Sequence, residues 1–186
     1  MDRKPQSTQP LAIAMTVLAA LVRLAPHPPN FSPIGSVALF GGARLRSWQA
    51  YLVPLLALAM TDPIRSRMEG GYPAYSSGTI IVYASFLISV FLGRTFLRNT
   101  TNPLRIASVV FAGSMQFFLI TNFFSFLEMH DLYPRTVAGL AACYTAALPF
   151  YGRTLLGDLF FSAVLFGAYA LISRRIESSR AAAVTV

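Results

Sequence analysis

Leu24 to Leu45 reads LAPHPPNFSPIGSVALFGGARL, with four prolines, a histidine and an asparagine set between two apolar runs. The chain around it is 55% hydrophobic and 12% charged, with 15 Phe and 8 Tyr among 186 residues. That profile fits repeated bilayer crossings better than a single soluble core. How this polar, helix-breaking segment sits relative to the bilayer therefore decides the fold.

Working outward from it, the apolar blocks predict six helices, at roughly 10–25, 33–47, 48–61, 78–97, 104–127 and 154–173. Several are shorter than the roughly 20 residues a straight helix needs to cross about 30 Å of hydrocarbon, so neighbours must bury them. TVAGLAACYTAALPFYG (136–152) lies between the fifth and sixth blocks, with Pro149 near its end. It reads as a re-entrant or surface helix. The N-terminal LAIAMTVLAALV follows Arg3 and Lys4 as a signal peptide would, but no small-x-small cleavage site precedes a soluble domain, so it reads as the first membrane helix.

Charge placement favours six crossings over seven. With the N-terminus cytoplasmic, the inner segments hold Arg3, Lys4, Arg44, Arg46, Arg94, Arg98, Arg105, Arg174, Arg175 and Arg180 against Asp2 and Glu177, ten minus two, or +8. The outer segments hold Arg23, Arg65, Arg67, Arg135 and Arg153 against Asp62, Glu69, Glu128, Asp131 and Asp158, five minus five, or zero. This is the asymmetry the positive-inside rule requires. The excess of basic residues thus follows from orientation, and no basic stripe with interleaved aromatics suggests nucleic-acid binding.

In this topology the opening stretch follows helix 1 on the outer side. Ser32 and Pro33 form a helix start signal, as cap and first-turn proline. From Pro33 to Arg46 is about 14 residues, or roughly 20 Å of helix, which does not reach the outer face if Arg44 and Arg46 mark the inner one. PHPPNFSP must then descend into the bilayer level, where irregular backbone is tolerated only if protein buries it or it lines a wet cavity. The expected cavity wall is this loop together with the free backbone N–H groups of helix 2. A stiff re-entrant connection is the plainer alternative.

Further polar residues fall at the same depth: Asp62, then Tyr72, Tyr75 and Tyr83, then Gln116, Thr121 and Asn122, and finally Tyr133, Arg135, Tyr144, Arg153 and Asp158. An ionisable side chain at membrane depth costs roughly 2.5 to 3.5 kcal/mol, which asks for a partner or a function. Plain readings exist beside the functional one: Asp62 before Pro63 can start a turn, Asp158 can pair with Arg153 or cap a helix, and tyrosines anchor interfaces. Taken together with His27 and Asn30, the group predicts a substrate site. Tyr75, Tyr83 and Tyr144 would cover the ligand's apolar face, Arg153 would pair with a carboxylate, amide or phosphate, and Asn30 and Asp62 would orient polar edges. His27 alone reads as a hydrogen-bonded loop residue, since one imidazole makes no metal site.

Helix 1 places Ala12, Thr16 and Ala20 four apart on one face, a seam that permits close helix approach by a partner or by the same chain. The single cysteine, Cys143, excludes an intramolecular disulfide, and no CxxC or HxxxH spacing occurs, so neither metal nor cofactor is expected. With no GxxxxGK[ST] loop the chain does not hydrolyse ATP by the P-loop route. No GxSxG elbow is present. An enzyme reading would be a lipid-modifying transferase using Asp62, His27 and Asp158; a structural subunit without ligand is the third class.

Six short helices with cytoplasmic ends, the small-residue seam of helix 1, NFSPIGSVALFGGA after a polar loop, and an acidic residue closing helix 3 together resemble the S components of energy-coupling-factor vitamin transporters. Within that group the chain is most similar to the solitary S components for cobalamin, and to uncharacterised bacterial membrane proteins sharing PHPPNFSPIG, FFLITNF and LPFYGRTLLGDL. The resemblance implies vitamin uptake across a bacterial inner membrane, without enzymatic activity. The substrate would sit in an outer pocket built by the loops after helices 1, 3 and 5, and helix 1 would face a coupling transmembrane subunit that works with ATPases. By position His27 and Asn30 belong to the first loop, Asp62 to Tyr75 to the second, and Asn122 to Arg153 to the third. The chain departs from the pattern in having Thr16 at the middle of the seam and no thiol in the second loop. An axial contact to cobalt would fall to His27 or Cys143.

Overall fold

The computed structural model describes residues 8–71, 73–98 and 100–184. Asp2, Arg3, Lys4 and Tyr72, and the side chain of Arg180, lie outside the described residues. The described chain is all-α, with six helices and no strand: α1 (Gln9–Val22), α2 (Ile34–Arg44), α3 (Gln49–Met68), α4 (Ser77–Phe96), α5 (Pro103–Glu128) and α6 (Val137–Val184). Of these, α4, α5 and α6 are long and apolar enough to cross a membrane, which makes this a membrane protein by length and composition. Large apolar side chains stand on their outer faces, among them Ile80 at 73% exposure, Phe91 at 54% and Leu171 at 66%, where a soluble fold would place charge.

Two expectations are corrected. TVAGLAACYTAALPFYG does not form a separate helix; from Val137 on, it is the first part of a continuous 48-residue α6 with Pro149 inside it. It is held straight along α5, where Cys143 Sγ faces the Asn122 carbonyl oxygen at 3.6 Å and Tyr144 OH donates to the Leu119 carbonyl at 2.7 Å. Neighbouring helices routinely support a proline within a membrane helix. Secondly, α3 does not stop at Asp62 but runs on to Met68 through Pro63.

The central post is α2, eleven residues long and so about 16 Å. Every residue from Ser36 to Arg44 is buried. Its shortness is compensated by close approach. A Cβ on Gly42 would overlap the Val90 carbonyl of α4, and one on Gly93 of α4 would overlap the Leu39 carbonyl of α2, so the two backbones meet as small-residue membrane helices do. Phe40 of α2 then packs edge-on to Phe166 and Tyr169 of α6, at 5.3 and 5.6 Å between centroids.

Caps fix the helix ends. Asn102 Oδ1 accepts from the Leu104 and Arg105 N–H groups at 2.9 and 3.2 Å with Pro103 following it, as a first-turn proline should. At the end of α4, the Arg44 guanidinium donates to the Leu97, Arg98 and Thr100 carbonyls at 3.0, 2.8 and 2.8 Å, a charged cap that satisfies orphan helix carbonyls. Gln9 Nε2 donates to the Arg44 carbonyl at 3.1 Å, so the start of α1 joins this basic end. Arg174 and Glu177 of α6 reach the same region. The first and last helices therefore end together.

The Ala12, Thr16 and Ala20 seam is buried, at 0%, 0% and 2% exposure, within the chain's own core. Thr16 Oγ1 is bonded back to the Ala12 carbonyl at 2.7 Å. The small residues let α1 pack closely on its own bundle. The outward side of α1 is instead Leu18, Leu21 and Val22.

Candidate functional site

The loop 24–33 connects the end of α1 to the first turn of α2. Asn30 takes a left-handed backbone, φ 64°, a conformation Asn tolerates better than most residues. Pro33, with φ −75°, occupies the cap position of α2 with no side-chain cap. Ser32 does not cap the helix as expected; its Oγ is buried without a hydrogen-bond partner and lies on the wall of a cavity of about 180 Å³.

That cavity is bounded by the loop (Asn30, Ser32), the first turn of α2 (Ile34, Gly35), Arg65 of α3, Phe86 and Ser89 of α4, Gly113 and Phe117 of α5, and Thr154 and Asp158 of α6. Five helices thus contribute to one space at the end of the bundle where α2 begins. Its buried carboxyl group is Asp158, 4% exposed. The carboxylate accepts from Ser114 Oγ of α5, lies within reach of the Ser36 backbone N–H, and presses on Gly35 so closely that a Cβ there would overlap it. It therefore sits over the N-terminus of α2, where helix N–H groups and the macrodipole favour an anion. Ser36 Oγ in turn donates to the Asp158 carbonyl at 2.8 Å and Ser162 Oγ to Ser36 Oγ at 3.1 Å. No cation pairs with Asp158: the ion pairs among the described residues are Arg23 with Asp62, Arg65 with Glu69, and His130 with Asp131.

Phe86 and Phe117 form the apolar wall, stacked at 5.1 Å between centroids. Beside them Gln116 Nε2 donates to the Ser85 carbonyl and to Ser89 Oγ, both at 3.0 Å. Arg65 stands at the rim, bonded through Nε to Glu69 Oε1 at 2.6 Å with its terminal nitrogen 3.4 Å from His27 Nε2.

The expected site residues divide among several places. Asn30 and Asp158 meet on this cavity. Asp62 and Tyr83 lie about one turn before Arg65 on α3 and Phe86 on α4, on the wall of a second cavity of about 330 Å³ that also includes Thr121. There Asp62 is already engaged, with Arg23 Nη1 at 2.7 Å on one oxygen and Tyr83 OH at 2.5 Å on the other. His27 is a bonded loop residue, its ring nitrogens facing the Pro28 and Arg23 carbonyls at 3.0 and 3.1 Å. Tyr75 OH braces the Ala59 carbonyl at 2.8 Å. Asn122 donates to the Phe118 carbonyl at 2.8 Å within its own helix, and with Tyr144 it belongs to the α5 and α6 seam. Tyr133 is in the turn after α5, its N–H bonded to the Met129 carbonyl at 2.8 Å. Arg153 is exposed. Five residues separate it from Asp158, about 140° of helix rotation, so it cannot share the cavity or pair with that carboxylate.

The sequence reading missed Arg65, Ser89, Ser114 and Thr154, and placed the aromatic cover on tyrosines where Phe86 and Phe117 supply it. The available signal was hydroxyl residues on helix faces: Ser85 and Ser89 are four apart on α4, as are Thr154 and Asp158 on α6, and such spacing puts both members of each pair on one side.

Neither a curated protein nor a solved structure matches the chain. A family model does match it, over residues 3–181, and the chain accordingly belongs to the family of unknown function DUF6580.

Proposed function

We propose that this protein binds a small vitamin-like molecule from the outer side of a bacterial inner membrane and passes it inward, with the Asp158 cavity as its binding site. One observation carries the reading: a carboxyl group that is 4% exposed, and in none of the ion pairs among the described residues, lines a cavity between five helices. A buried charge left alone is costly, and a ligand bearing a protonated amine or a cationic ring relieves that cost. Phe86 and Phe117 offer a face to its apolar body, and Ser89, Thr154 and Asn30 offer hydrogen bonds to its edges. Drug-sized pockets run from about 300 to 1,000 Å³, so a cavity of about 180 Å³ favours a ligand much smaller than a corrin. Neither Cys143 nor His27 reaches it as an axial ligand.

Six crossings with both ends cytoplasmic accord with the gathering of Arg44, Arg98 and Arg174 at the end where α1 begins and with the positive-inside rule. Since the chain has no phosphate-binding loop of the GxxxxGK[ST] type, energy comes from coupling and ATPase partners or from a gradient. Any partner contact falls outside the buried Ala12, Thr16 and Ala20 seam.

A thermal-shift panel of small amine-bearing, neutral and anionic vitamins on the detergent-purified protein tests the reading. An amine-bearing member at a hundred times its Kd should stabilise the fold by about 2.7 kcal/mol, and Asp158→Asn should abolish the effect. Stabilisation by anionic members alone, or equal stabilisation of the variant, would sink it.

A further inference from the structure

The opposite end of the bundle carries a second built site. Between α5 and α6 runs an apolar cavity of about 250 Å³, walled by Ile106, Val110, Leu159 and Phe166 and opened by the small residues Ala163 and Gly167. A polar cavity of about 300 Å³ adjoins it, holding Arg44, Arg98, Arg174 and Thr100, with Glu177 as its one carboxylate. The two share Arg44, Thr101 and Ala170, so apolar and basic halves are continuous. Arg44 is 4% exposed and its Nε is buried without a hydrogen-bond partner, on a wall common to both halves. Arg98 and Arg174 are exposed and take part in none of the ion pairs among the described residues.

We infer that this composite groove binds one anionic phospholipid of the surrounding membrane, its phosphate among Arg44, Arg98 and Arg174 and one acyl chain between α5 and α6. Three guanidinium groups against one carboxylate give the charge complementarity; the planar donor forks of Arg98 and Arg174 suit phosphate oxygens, while Arg44, whose terminal nitrogens already hold backbone carbonyls, adds its charge and its unpartnered Nε. Basic pockets between membrane helices on the cytoplasmic side hold such headgroups. The apolar half admits a chain because Gly167 has nothing within 4 Å of where a Cβ would stand. Nothing in this inference depends on the ligand of the Asp158 cavity.

Native mass spectrometry of the detergent-purified chain, titrated with phosphatidylglycerol or with phosphatidylcholine of the same acyl chains, tests it. The parent should retain phosphatidylglycerol at least about tenfold more tightly. Arg98→Gln with Arg174→Gln should weaken that binding by about 30-fold, from the loss of two surface charges. Gly167→Leu, whose Cβ has nothing within 4 Å, should fill the open half and weaken both lipids, and excess inorganic phosphate should not displace phosphatidylglycerol. Equal retention of the two lipids by the parent, or unchanged binding in the double variant, would overturn the inference. So would full displacement by inorganic phosphate with no effect of Gly167→Leu, which would leave an anion site only.

Discussion

The carboxylate of Asp158 rests on Gly35, in contact so close that no side chain fits between them. This joins α6 to the first turn of α2 and sets the floor of the cavity. Gly35→Ala should therefore push the carboxylate away at a cost of about 1 to 3 kcal/mol, the usual range for overpacking. A lowered melting temperature in detergent would show it. A variant as stable as the parent would mean that the carboxylate moves freely and the site is not preorganised.

The Arg23 and Asp62 pair, at 2.7 Å, ties the end of α1 to α3 with side chains 7% and 17% exposed. Asp62→Ala leaves Arg23 buried with only the Thr61 hydroxyl at 2.9 Å, and should cost about 3 to 5 kcal/mol. Adding Arg23→Leu should recover much of that loss. Equilibrium unfolding of the single and double variants measures the coupling, and purely additive losses would show that the pair is not a unit.

Backbone contact between α2 and α4 is sharper still. Gly93→Ala drives a methyl group into the Leu39 carbonyl, whereas Gly152→Ala meets nothing within 4 Å. The first should prevent stable folding or cost at least about 3 kcal/mol. The second should be neutral or slightly stabilising, because alanine is the better helix former. Paired expression and melting experiments decide between this packing and a looser one.

Arg153→Ala should leave ligand affinity unchanged within about twofold, because the side chain is exposed on the face of α6 opposite Asp158. Calorimetry with an amine-bearing ligand checks this. A tenfold loss would place Arg153 in the site and call for a different orientation of α6.

Much of the architecture is legible in the residues. Apolar block lengths and the Gly, Pro and Asn punctuation locate six helices, and the mismatch between the short block after Pro33 and the bilayer points to a loop that dips and lines a cavity. Asn30 and Asp158 follow from that logic. What the chain does not reveal is rotation about each helix axis. Arg153 and Asp158 lie five residues apart and look like neighbours in a list of polar residues, yet face different ways; Gly42 and Gly93 fall inside two of the predicted helices, and nothing in the sequence shows that the two backbones meet there. Pro149 suggests a break that lateral support from α5 removes. Asp62 and Arg23 are equally polar in sequence, and only their 2.7 Å contact shows that they satisfy each other and leave Asp158 as a buried carboxyl group outside the ion pairs among the described residues.

The proposed site turns on that buried carboxyl group, and the most direct measurement is a small-molecule mass spectrum of the parent and Asp158→Asn proteins, purified side by side in mild detergent. Asparagine keeps the shape and a hydrogen-bonding partner for Ser114 while removing the negative charge. The account predicts a small amine-bearing or cationic molecule retained near one per chain by the parent and reduced at least about tenfold in the variant, the scale expected when a charge-assisted hydrogen bond is lost. Melting temperatures of the two proteins once stripped of ligand should stay close, so that the loss is one of binding and not of fold. The same molecule retained equally by both proteins would contradict the account.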